Sequence, residues 1–445
     1  MPIYKNVKAS FYDDSLKAVI KMPKGNLYPK DGIVGELVNI ETNVYNKQEK
    51  VIKLIPVEKS KFRVNPVCKI YHKCGGCHLQ HINYLEQLNI KTNHVQELFD
   101  KTLKLNIKVK PTIGMKEPLH YRNKSQVVFK YNKGKMYSGF YEEGTHDVID
   151  YDDCHLQDPV ANKIIQTIKE LMIKMHISAY DEDKKTGIIR HVLIKSSSFT
   201  KEVLVVLIVG SENFPGRNNF IKALTSKCPN ISTIIQNVNN RKTSAVLGDK
   251  ETILFGKGYI YDNLLGYKFK ITSKSFYQIN HEQTEILYSE AIKLAGITKE
   301  DVVLDAYCGV GTIGIIASKY AKKVIGVELV KDAVLNAVDN AKNNNIKNIC
   351  FFSQDATNFI VNMARKKEKL DVLIMDPPRS GSTKEFLDAT LYLSPKKIVY
   401  VSCNPHTQVE DLKVLLKDYK LTHIQPVDMF PHTSHVETVV LLIKK

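Results

Sequence analysis

A cysteine near the end of the chain stands where a thiol can do chemistry. Residues 399–402 form an apolar run typical of a buried strand, and Cys403 follows this run directly. Asn404 and Pro405 come next, at the predicted start of a helix. The positive end of a helix lowers the pKa of a nearby thiol and favours the thiolate. An isolated cysteine is equally often a buried, inert side chain, so its position alone leaves both interpretations open.

A glycine-rich turn joins a predicted strand, 302–306, to a predicted helix, 313–320. Asp305 stands near the end of that strand, and the turn continues as Cys308-Gly309-Val310-Gly311, where glycine lets a ligand approach the backbone closely. The turn lacks the spaced G-x-G-x-x-G that cradles a pyrophosphate in dinucleotide-binding folds. We therefore expect its ligand to be a nucleoside without phosphates.

Two further carboxylates are predicted at the same edge of the sheet. Glu328 ends the next strand, 323–328, where a carboxylate can accept hydrogen bonds from both hydroxyls of a ribose. Asp376 ends the strand 372–376, and the two prolines that follow fix a rigid loop. The prolines alone would fit a plain turn, but with Glu328 and the glycine turn they favour a cofactor site.

Four cysteines have the spacing of a metal centre. Cys68, Cys74 and Cys77 lie in one glycine-containing segment, and Cys154 follows at a distance. This three-plus-one pattern favours a [4Fe-4S] cluster, whereas structural zinc more often takes paired C-x2-C knuckles. Zinc stays open on spacing alone, with nearby histidines as further candidate ligands: His72, His78 and His81. We expect the unpatterned thiols to be structural: Cys228 and Cys350.

The elements that must position these residues fall into three regions of a chain of 445 residues, which is long enough for more than one core. Short alternating runs predict a small β-barrel over residues 1–57, which suits an auxiliary RNA-binding module. Residues 58–275 mix strands with a helix near 162–175 and are expected to form a central α+β domain. From residue 276 to 445, apolar runs alternate with amphipathic helices, including one over 331–343. That alternation predicts an α/β, Rossmann-like domain with a mainly parallel, doubly wound sheet.

The charge of the chain suits a partner rich in phosphates. There are 64 Lys and Arg against 47 Asp and Glu, which gives a net charge of +17. A lysine-rich composition bias would give the same excess. The N-terminus has no apolar signal region and no apolar run is long enough to span a membrane, so we expect a soluble, cytoplasmic protein. In that reducing compartment, clustered cysteines more often bind metal or do chemistry than form disulfides.

Taken together, the motifs resemble those of the uracil-C5 RNA methyltransferase family, and the resemblance covers nearly the whole chain. The matching segments are 275–280, 305–309, 376–379, 402–405 and 435–437. The resemblance implies that S-adenosylmethionine is the cofactor and that its contacts come from four residues: Gln278, Tyr307, Glu328 and Asp376. It also implies that Cys403 is the nucleophile and Glu437 the general base, although a lone glutamate at such a position is more often a solvated charge.

The chemistry of uracil explains why this family needs such a pair. C5 of uracil is too weak a nucleophile to attack a sulfonium methyl group directly. Addition of a thiolate at C6 gives C5 the character of an enolate, and a base must later remove the surplus proton from C5. The target base must also leave its stack to reach an enclosed pocket, and Phe276 is a candidate ring for contacting it. Cys308, beside the cofactor turn, is the rival thiol.

The four-cysteine set resembles the ribosomal-RNA branch of the family, which implies a [4Fe-4S] cluster and 23S ribosomal RNA as the substrate of a monomeric enzyme. The alternatives are a tRNA uracil-C5 methyltransferase and a non-catalytic iron-sulfur protein that binds RNA. An exocyclic amino methyltransferase is a third, since it also uses a D-P-P motif. That motif requires an aromatic residue at the position of Arg379, and amino-group chemistry would leave Cys403 and Glu437 without a role.

Overall fold

The computed structural model describes residues 2–45, 48–142, 145, 147–241 and 245–445. The chain divides into two compact units. The first consists of Met1–Pro118 and Gln425–Glu437, and the second of Leu119–Ile424 and Thr438–Lys445. The domain boundaries expected from the sequence, after residues 57 and 275, stay predictions.

The first unit begins with two small antiparallel sheets. One runs in the order β1-β5-β6 and the other in the order β2-β3-β4. Alternating apolar side chains of these strands point into one core, which holds Val38 and Ile40 of β5 and Ile20 of β3. The strands are β1 (Ile3–Lys8), β2 (Phe11–Tyr12), β3 (Ala18–Met22), β4 (Gly25–Leu27), β5 (Leu37–Tyr45) and β6 (Gln48–Glu58).

A long helix, α1 (Tyr84–Leu103), follows in the first unit. Asn83 caps it, because its side-chain oxygen accepts a hydrogen bond from the Glu86 N–H at 3.0 Å. The helix ends where Lys104 adopts a left-handed φ of 53°. The face that it buries contains two polar residues among its apolar ones: Gln87, Ile90, Lys91, Val95 and Phe99. Because two buried positions are polar, the sequence of α1 lacks the regular apolar period that would predict a helix.

The second unit contains a large mixed sheet in the order β13-β12-β11-β10-β7-β8-β9, followed by the hairpin β14-β15. Every residue of β10 and β11 is buried, as expected for central strands. The elements are β7 (Lys124–Asn132), β8 (Lys135–Tyr141), β9 (Val148–Asp150), α2 (Pro159–Lys174), β10 (Ile189–Ser196), β11 (Val203–Val209), α3 (Arg217–Lys227), β12 (Ile231–Val238), β13 (Lys250–Phe255), β14 (Ile260–Leu264) and β15 (Tyr267–Ile271).

The C-terminal part of the second unit builds the sheet predicted from sequence, in the order β18-β17-β16-β19-β20-β22-β21. Parallel pairs from β18 to β20 are followed by an antiparallel pair, β20 with β22. The elements are α4 (His281–Ala295), β16 (Val302–Ala306), α5 (Thr312–Ser318), β17 (Lys323–Glu328), α6 (Lys331–Asn343), β18 (Ile349–Ser353), α7 (Ala356–Arg365), β19 (Val372–Met375), α8 (Lys384–Leu393), β20 (Lys397–Ser402), α9 (Pro405–Leu415), β21 (Tyr419–Val427) and β22 (Glu437–Lys444).

This arrangement confirms the predicted fold class, an α/β chain with a Rossmann-like C-terminal region. Because β16, β17, β19 and β20 are parallel, their carboxyl ends meet at one edge of the sheet, where such folds bind ligands. Within the described ranges, no helix is both long and apolar enough to cross a membrane.

Candidate active site

The turn after β16 is tightly packed at the ligand-binding edge. Asp305 is buried, and its Oδ2 accepts a hydrogen bond from the Gly314 N–H at 2.7 Å. A Cβ at Gly314 would lie 2.8 Å from that oxygen, so a larger residue could not sit there without displacing the carboxylate. Gly311, which precedes α5, has a left-handed φ of 82°, and a Cβ there would lie 2.8 Å from the Phe351 ring. Both contacts explain why the turn needs glycine.

The Glu328 carboxylate is fixed beside this turn. One oxygen, Oε2, accepts from the Gly309 N–H at 3.1 Å, and Oε1 accepts from the Val330 N–H at 2.9 Å. The parallel pairing of β16 with β17 brings the two strand ends together, with Ala306 opposite Val327. Glu328 is therefore held by backbone donors on both sides while remaining half-buried.

Carboxylates crowd this edge and perturb one another. Burial raises the pKa of Asp305 to about 8; the hydrogen bond from Gly314 opposes this, and the charges of Asp376 and Glu328 add to it. Burial also raises the pKa of Asp376, which directly follows β19, to about 7. The site is therefore poor in positive charge and suited to a cationic ligand.

Gln278 and Asp376, two of the expected cofactor residues, are brought together around a tyrosine that the sequence patterns did not single out. Burial raises the pKa of Tyr288 on α4, and the charge of Asp376 acts in the same direction. Hydrogen bonds with Thr312 and Gln278 lower it. A tyrosine on the buried face of a helix is usually a core residue, so the sequence offered no signal that distinguished Tyr288 from its neighbours.

Tyr307, another expected cofactor residue, has an unusual backbone. Its φ is 66°, a left-handed conformation that costs a bulky residue about 1 to 3 kcal/mol. The ring lies 5.5 Å from that of Phe386, and the hydroxyl donates to Ser382 Oγ at 3.4 Å. Burial raises the pKa of Tyr307. Such strain concentrates at ligand-binding positions, because the surrounding contacts must hold it in place.

Cys403 lies at the same edge, directly after β20, and is half-buried. The next residue, Asn404, caps α9 by accepting from the His406 N–H at 3.2 Å. Its Nδ2 also donates to the Arg379 carbonyl at 3.0 Å, which ties this turn to the loop after Asp376. The thiol therefore stands beside the N-terminus of α9.

The rival thiol has the opposite environment. Cys308 is 6% exposed, and its N–H donates to the Val327 carbonyl at 3.0 Å. Burial raises the pKa of its thiol well above the usual range, and the charges of Asp305 and Glu328 raise it further. A protonated thiol is a poor nucleophile, so the geometry favours Cys403 over Cys308 as a reactive group.

Glu437 is the first residue of β22 and is 3% exposed. The next residue, Thr438, is paired with Ser402 across β20 and β22. The Thr438 hydroxyl donates to Gln408 Oε1 at 2.6 Å, and Gln408 Nε2 donates to the Tyr400 carbonyl at 3.0 Å. These bonds fix the position at which β22 begins relative to β20.

The expected iron-sulfur ligands are divided between the two units. Cys68, Cys74 and Cys77 lie in the segment between β6 and α1 of the first unit, whereas Cys154 belongs to the second unit. Gln80 accepts from the Cys68 N–H at 3.2 Å and donates to Cys77 Sγ at 3.2 Å. Across the residues that the structure describes, no group of three or more His, Cys, Asp or Glu side chains is arranged to hold a metal ion. The side chains as placed therefore do not fit a cluster.

The histidines considered as zinc ligands are engaged in other contacts. His72 Nδ1 lies 2.9 Å from Asp31 Oδ2. His81 contacts the Tyr71 hydroxyl at 2.8 Å through one ring nitrogen and the Gly32 carbonyl at 3.1 Å through the other. His78 Nδ1 accepts from the Ser434 N–H at 3.3 Å. These contacts give no support to a zinc site.

Comparisons with known proteins show which family the chain is similar to. Residues 83–445 match the family described as tRNA (uracil-5-)-methyltransferase. A protein of Clostridium acetobutylicum named as an uncharacterized RNA methyltransferase is 42% identical, covering 99% of this chain and 98% of that protein. A protein of Caldanaerobacter subterraneus subsp. tengcongensis with the same description is 41% identical, covering 94% and 92%.

A solved structure shows the same fold. It is that of Pyrococcus abyssi tRNA (uracil-54, C5)-methyltransferase in complex with S-adenosyl-L-homocysteine, with a TM-score of 0.80 and 27% identity. The alignment covers 98% of this chain and 100% of that one.

Proposed function

The chain belongs to the tRNA (uracil-5-)-methyltransferase family and is an S-adenosylmethionine-dependent RNA methyltransferase, and we propose that it methylates C5 of uridine in 23S ribosomal RNA. One observation contributes most to the proposed chemistry. The half-buried Cys403 stands at the sheet edge where Glu328 and Asp376 lie, whereas the competing thiol of Cys308 is buried and protonated.

We propose that S-adenosylmethionine is held by Gln278, Tyr307, Glu328 and Asp376. Its sulfonium and ammonium groups are cationic, and the pKa values of Asp305 and Asp376 are raised by burial among carboxylates. A cation bound there would stabilise the ionised carboxylates. The fixed Glu328 carboxylate is the natural acceptor for ribose hydroxyls. When bound, the cofactor supplies the methyl group.

In the proposed cycle, the Cys403 thiolate forms a bond to C6 of the target uracil, and the electron pair of the C5–C6 double bond makes C5 nucleophilic. C5 then gains the methyl group and carries both that group and its original proton. Glu437 takes this proton, the double bond re-forms, and the C6–S bond breaks to regenerate the thiolate. Cys403 and Glu437 thus act at different steps of one covalent pathway.

Two observations bear on which RNA is the substrate. The four-cysteine pattern supports ribosomal RNA and a [4Fe-4S] cluster, because that pattern resembles the ribosomal-RNA branch. The family description and the Pyrococcus abyssi neighbour both name tRNA, which keeps transfer RNA as the second candidate. The arrangement of the cysteines gives the cluster no support, so no catalytic step is assigned to it.

The deciding experiment offers the purified protein, with labelled S-adenosylmethionine, unmodified 23S ribosomal RNA and unmodified tRNA in parallel. We expect 5-methyluridine in the ribosomal RNA, mapped to defined sites by mass spectrometry of nuclease fragments. Methylation of tRNA alone would replace the substrate assignment and leave the chemistry intact. Methylation at an exocyclic amino group of either RNA would refute the proposed chemistry.

A further inference from the structure

The stretch between β21 and β22 runs directly up to Glu437 without regular secondary structure. We call residues 428–436 the base segment. It lies in the same compact unit as α1 and Glu437. Buried backbone outside helices and sheets needs hydrogen-bond partners from elsewhere, so its conformation depends on the groups packed against it.

A buried ion pair from α1 fixes the start of the base segment. Lys91 Nζ lies 2.6 Å from Asp428 Oδ1, and both side chains are 0% exposed. The Lys91 ammonium also donates to the Phe430 carbonyl at 3.3 Å, and the Tyr84 hydroxyl donates to Asp428 Oδ2 at 2.9 Å. Two residues of α1, about two helical turns apart, therefore satisfy both oxygens of the carboxylate.

Gln87, also on α1 and 0% exposed, holds the middle of the base segment through His432. Its Oε1 accepts from the His432 N–H at 3.1 Å, and its Nε2 donates to His432 Nδ1 at 3.2 Å and to the Ile82 carbonyl at 2.8 Å. Burial lowers the pKa of His432 to about 4, so the ring is neutral, and in the tautomer protonated at Nε2 its Nδ1 accepts this bond. Backbone and ring of one residue are thus held by one amide.

His432 needs such support because its backbone is strained. Its φ is 66°, which is uncommon for a residue other than glycine. From its other side, the His432 carbonyl accepts from the N–H groups of His78 at 2.8 Å and Leu79 at 3.0 Å. A conformation of this kind persists only where its surroundings over-determine it. It lies five residues before Glu437 in the chain.

We propose that Gln87 is a positioning residue for the general base, acting through His432 on the placement of Glu437. The inference rests on the proposed function, because it requires Glu437 to take the C5 proton. Loss of the Gln87 amide would release the His432 backbone and displace the carboxylate. A general base displaced by about 1 Å loses about 10- to 100-fold in rate. Addition of Cys403 and methyl transfer, which precede proton removal, would continue.

The test compares Gln87→Met with Gln96→Met, a change at another glutamine of α1. Gln96 makes the same kinds of bond to a different segment: it donates to the Ile107 carbonyl at 3.1 Å and accepts from the Val109 N–H at 2.8 Å. Each variant is incubated with the RNA that the wild-type enzyme methylates and with methyl-tritiated S-adenosylmethionine. Denaturing gels then separate tritium in free RNA from tritium in the covalent protein–RNA band.

For Gln87→Met, we expect the rate of free methylated RNA to fall about 10- to 100-fold while tritium accumulates in the covalent band. Gln96→Met should resemble wild type in the rate of free methylated RNA and in the amount of tritium in the covalent band. His432→Gly is the second variant, because glycine adopts a left-handed φ without strain and has no side chain to accept the Gln87 bond. It should show the same accumulation.

Two results would overturn the inference. One is a parallel fall of free product and covalent band in folded Gln87→Met and His432→Gly, which indicates a purely structural role. The other is unchanged turnover in both variants. The Glu437→Gln variant distinguishes failure of this inference from failure of the proposed function. If it gives no tritiated covalent band, Glu437 is not the base, and both proposals are wrong.

Discussion

Ser402 and Thr438 are paired across the antiparallel strands β20 and β22. The residue after Ser402 is Cys403 and the residue before Thr438 is Glu437, so the two proposed catalytic residues are the chain neighbours of one strand pair. The Thr438 hydroxyl donates to Gln408 Oε1 at 2.6 Å, and Gln408 lies on α9, the helix that follows Cys403. This bond fixes the register of β22 relative to α9. A shift of the register would move the start of β22 and Glu437 with it.

Cys403→Ala should abolish methylation of RNA, with a loss of at least about 1000-fold, because a covalent pathway has no second nucleophile. Cys308→Ala removes the buried thiol that also faces the turn and serves as the matched control. It should retain turnover within about threefold, since a protonated thiol contributes nothing to the covalent step. Methyl transfer by Cys403→Ala would contradict the assignment of the nucleophile.

Glu437→Gln should stall after methyl transfer and leave RNA attached through Cys403, because the amide cannot take the C5 proton. A slow protein–RNA band should appear on denaturing gels with this variant and disappear in the double variant with Cys403→Ala. Wild-type enzyme should form the same band with 5-fluorouridine RNA, since fluorine does not leave as a proton does. If the band survives the loss of Cys403, another residue forms the adduct.

Binding of S-adenosylmethionine should tighten as pH rises from 6 to 8. The pKa of Asp376 is raised to about 7, so the carboxyl is mostly neutral at the lower pH and mostly ionised at the higher one. Because the cofactor is cationic and favours the ionised form, ionisation of Asp376 should increase affinity by about tenfold across this range. Calorimetric titration measures it, and Asp376→Asn should remove that part of the pH dependence and leave the part due to Asp305, whose pKa is about 8.

Lys91→Met should lower stability strongly, because it leaves the Asp428 carboxylate buried with an uncompensated charge. Removal of one partner from a buried ion pair costs about 3 to 5 kcal/mol. The double variant with Asp428→Leu removes both charges and should recover part of that loss. Thermal unfolding midpoints compare the three proteins. Equal midpoints for the wild type and Lys91→Met would show that the pair does not matter to stability.

If the four-cysteine pattern holds a [4Fe-4S] cluster, protein purified without oxygen should contain iron and acid-labile sulfide, and Cys77→Ser should lose both. Cys350→Ser, at a half-buried cysteine outside the pattern, should keep them. Stoichiometric zinc without iron would instead identify the alternative centre.

The sequence predicted much of the C-terminal sheet with matching bounds. The strands 302–306 and 323–328 and the helix 331–343 are β16, β17 and α6 in the structure. These elements are readable because a parallel sheet covered on both faces requires continuous apolar strands, and each surface helix repeats its apolar face every turn. The predicted helix 313–320 differs only at its ends from α5 (Thr312–Ser318).

The helix α1 was not predicted, and its chemistry explains why. Gln87 and Lys91 occupy its buried face, so the apolar period is broken at two positions. Their burial makes sense only beside Asp428 and His432, more than 300 residues further along the chain. No local pattern carries that information, because the partners that stabilise these polar groups are supplied by tertiary contact.

The sequence by itself determined which residue types stand where chemistry is expected: a thiol after an apolar strand, acidic residues at strand ends and a glycine turn between them. Only the tertiary structure decided how those groups behave. Cys308 and Cys403 are both cysteines at strand ends, yet one is buried beside Asp305 and Glu328 and the other lies half-buried at a helix N-terminus. Burial and neighbouring charge set the pKa of a thiol, and both are fixed by residues distant in sequence.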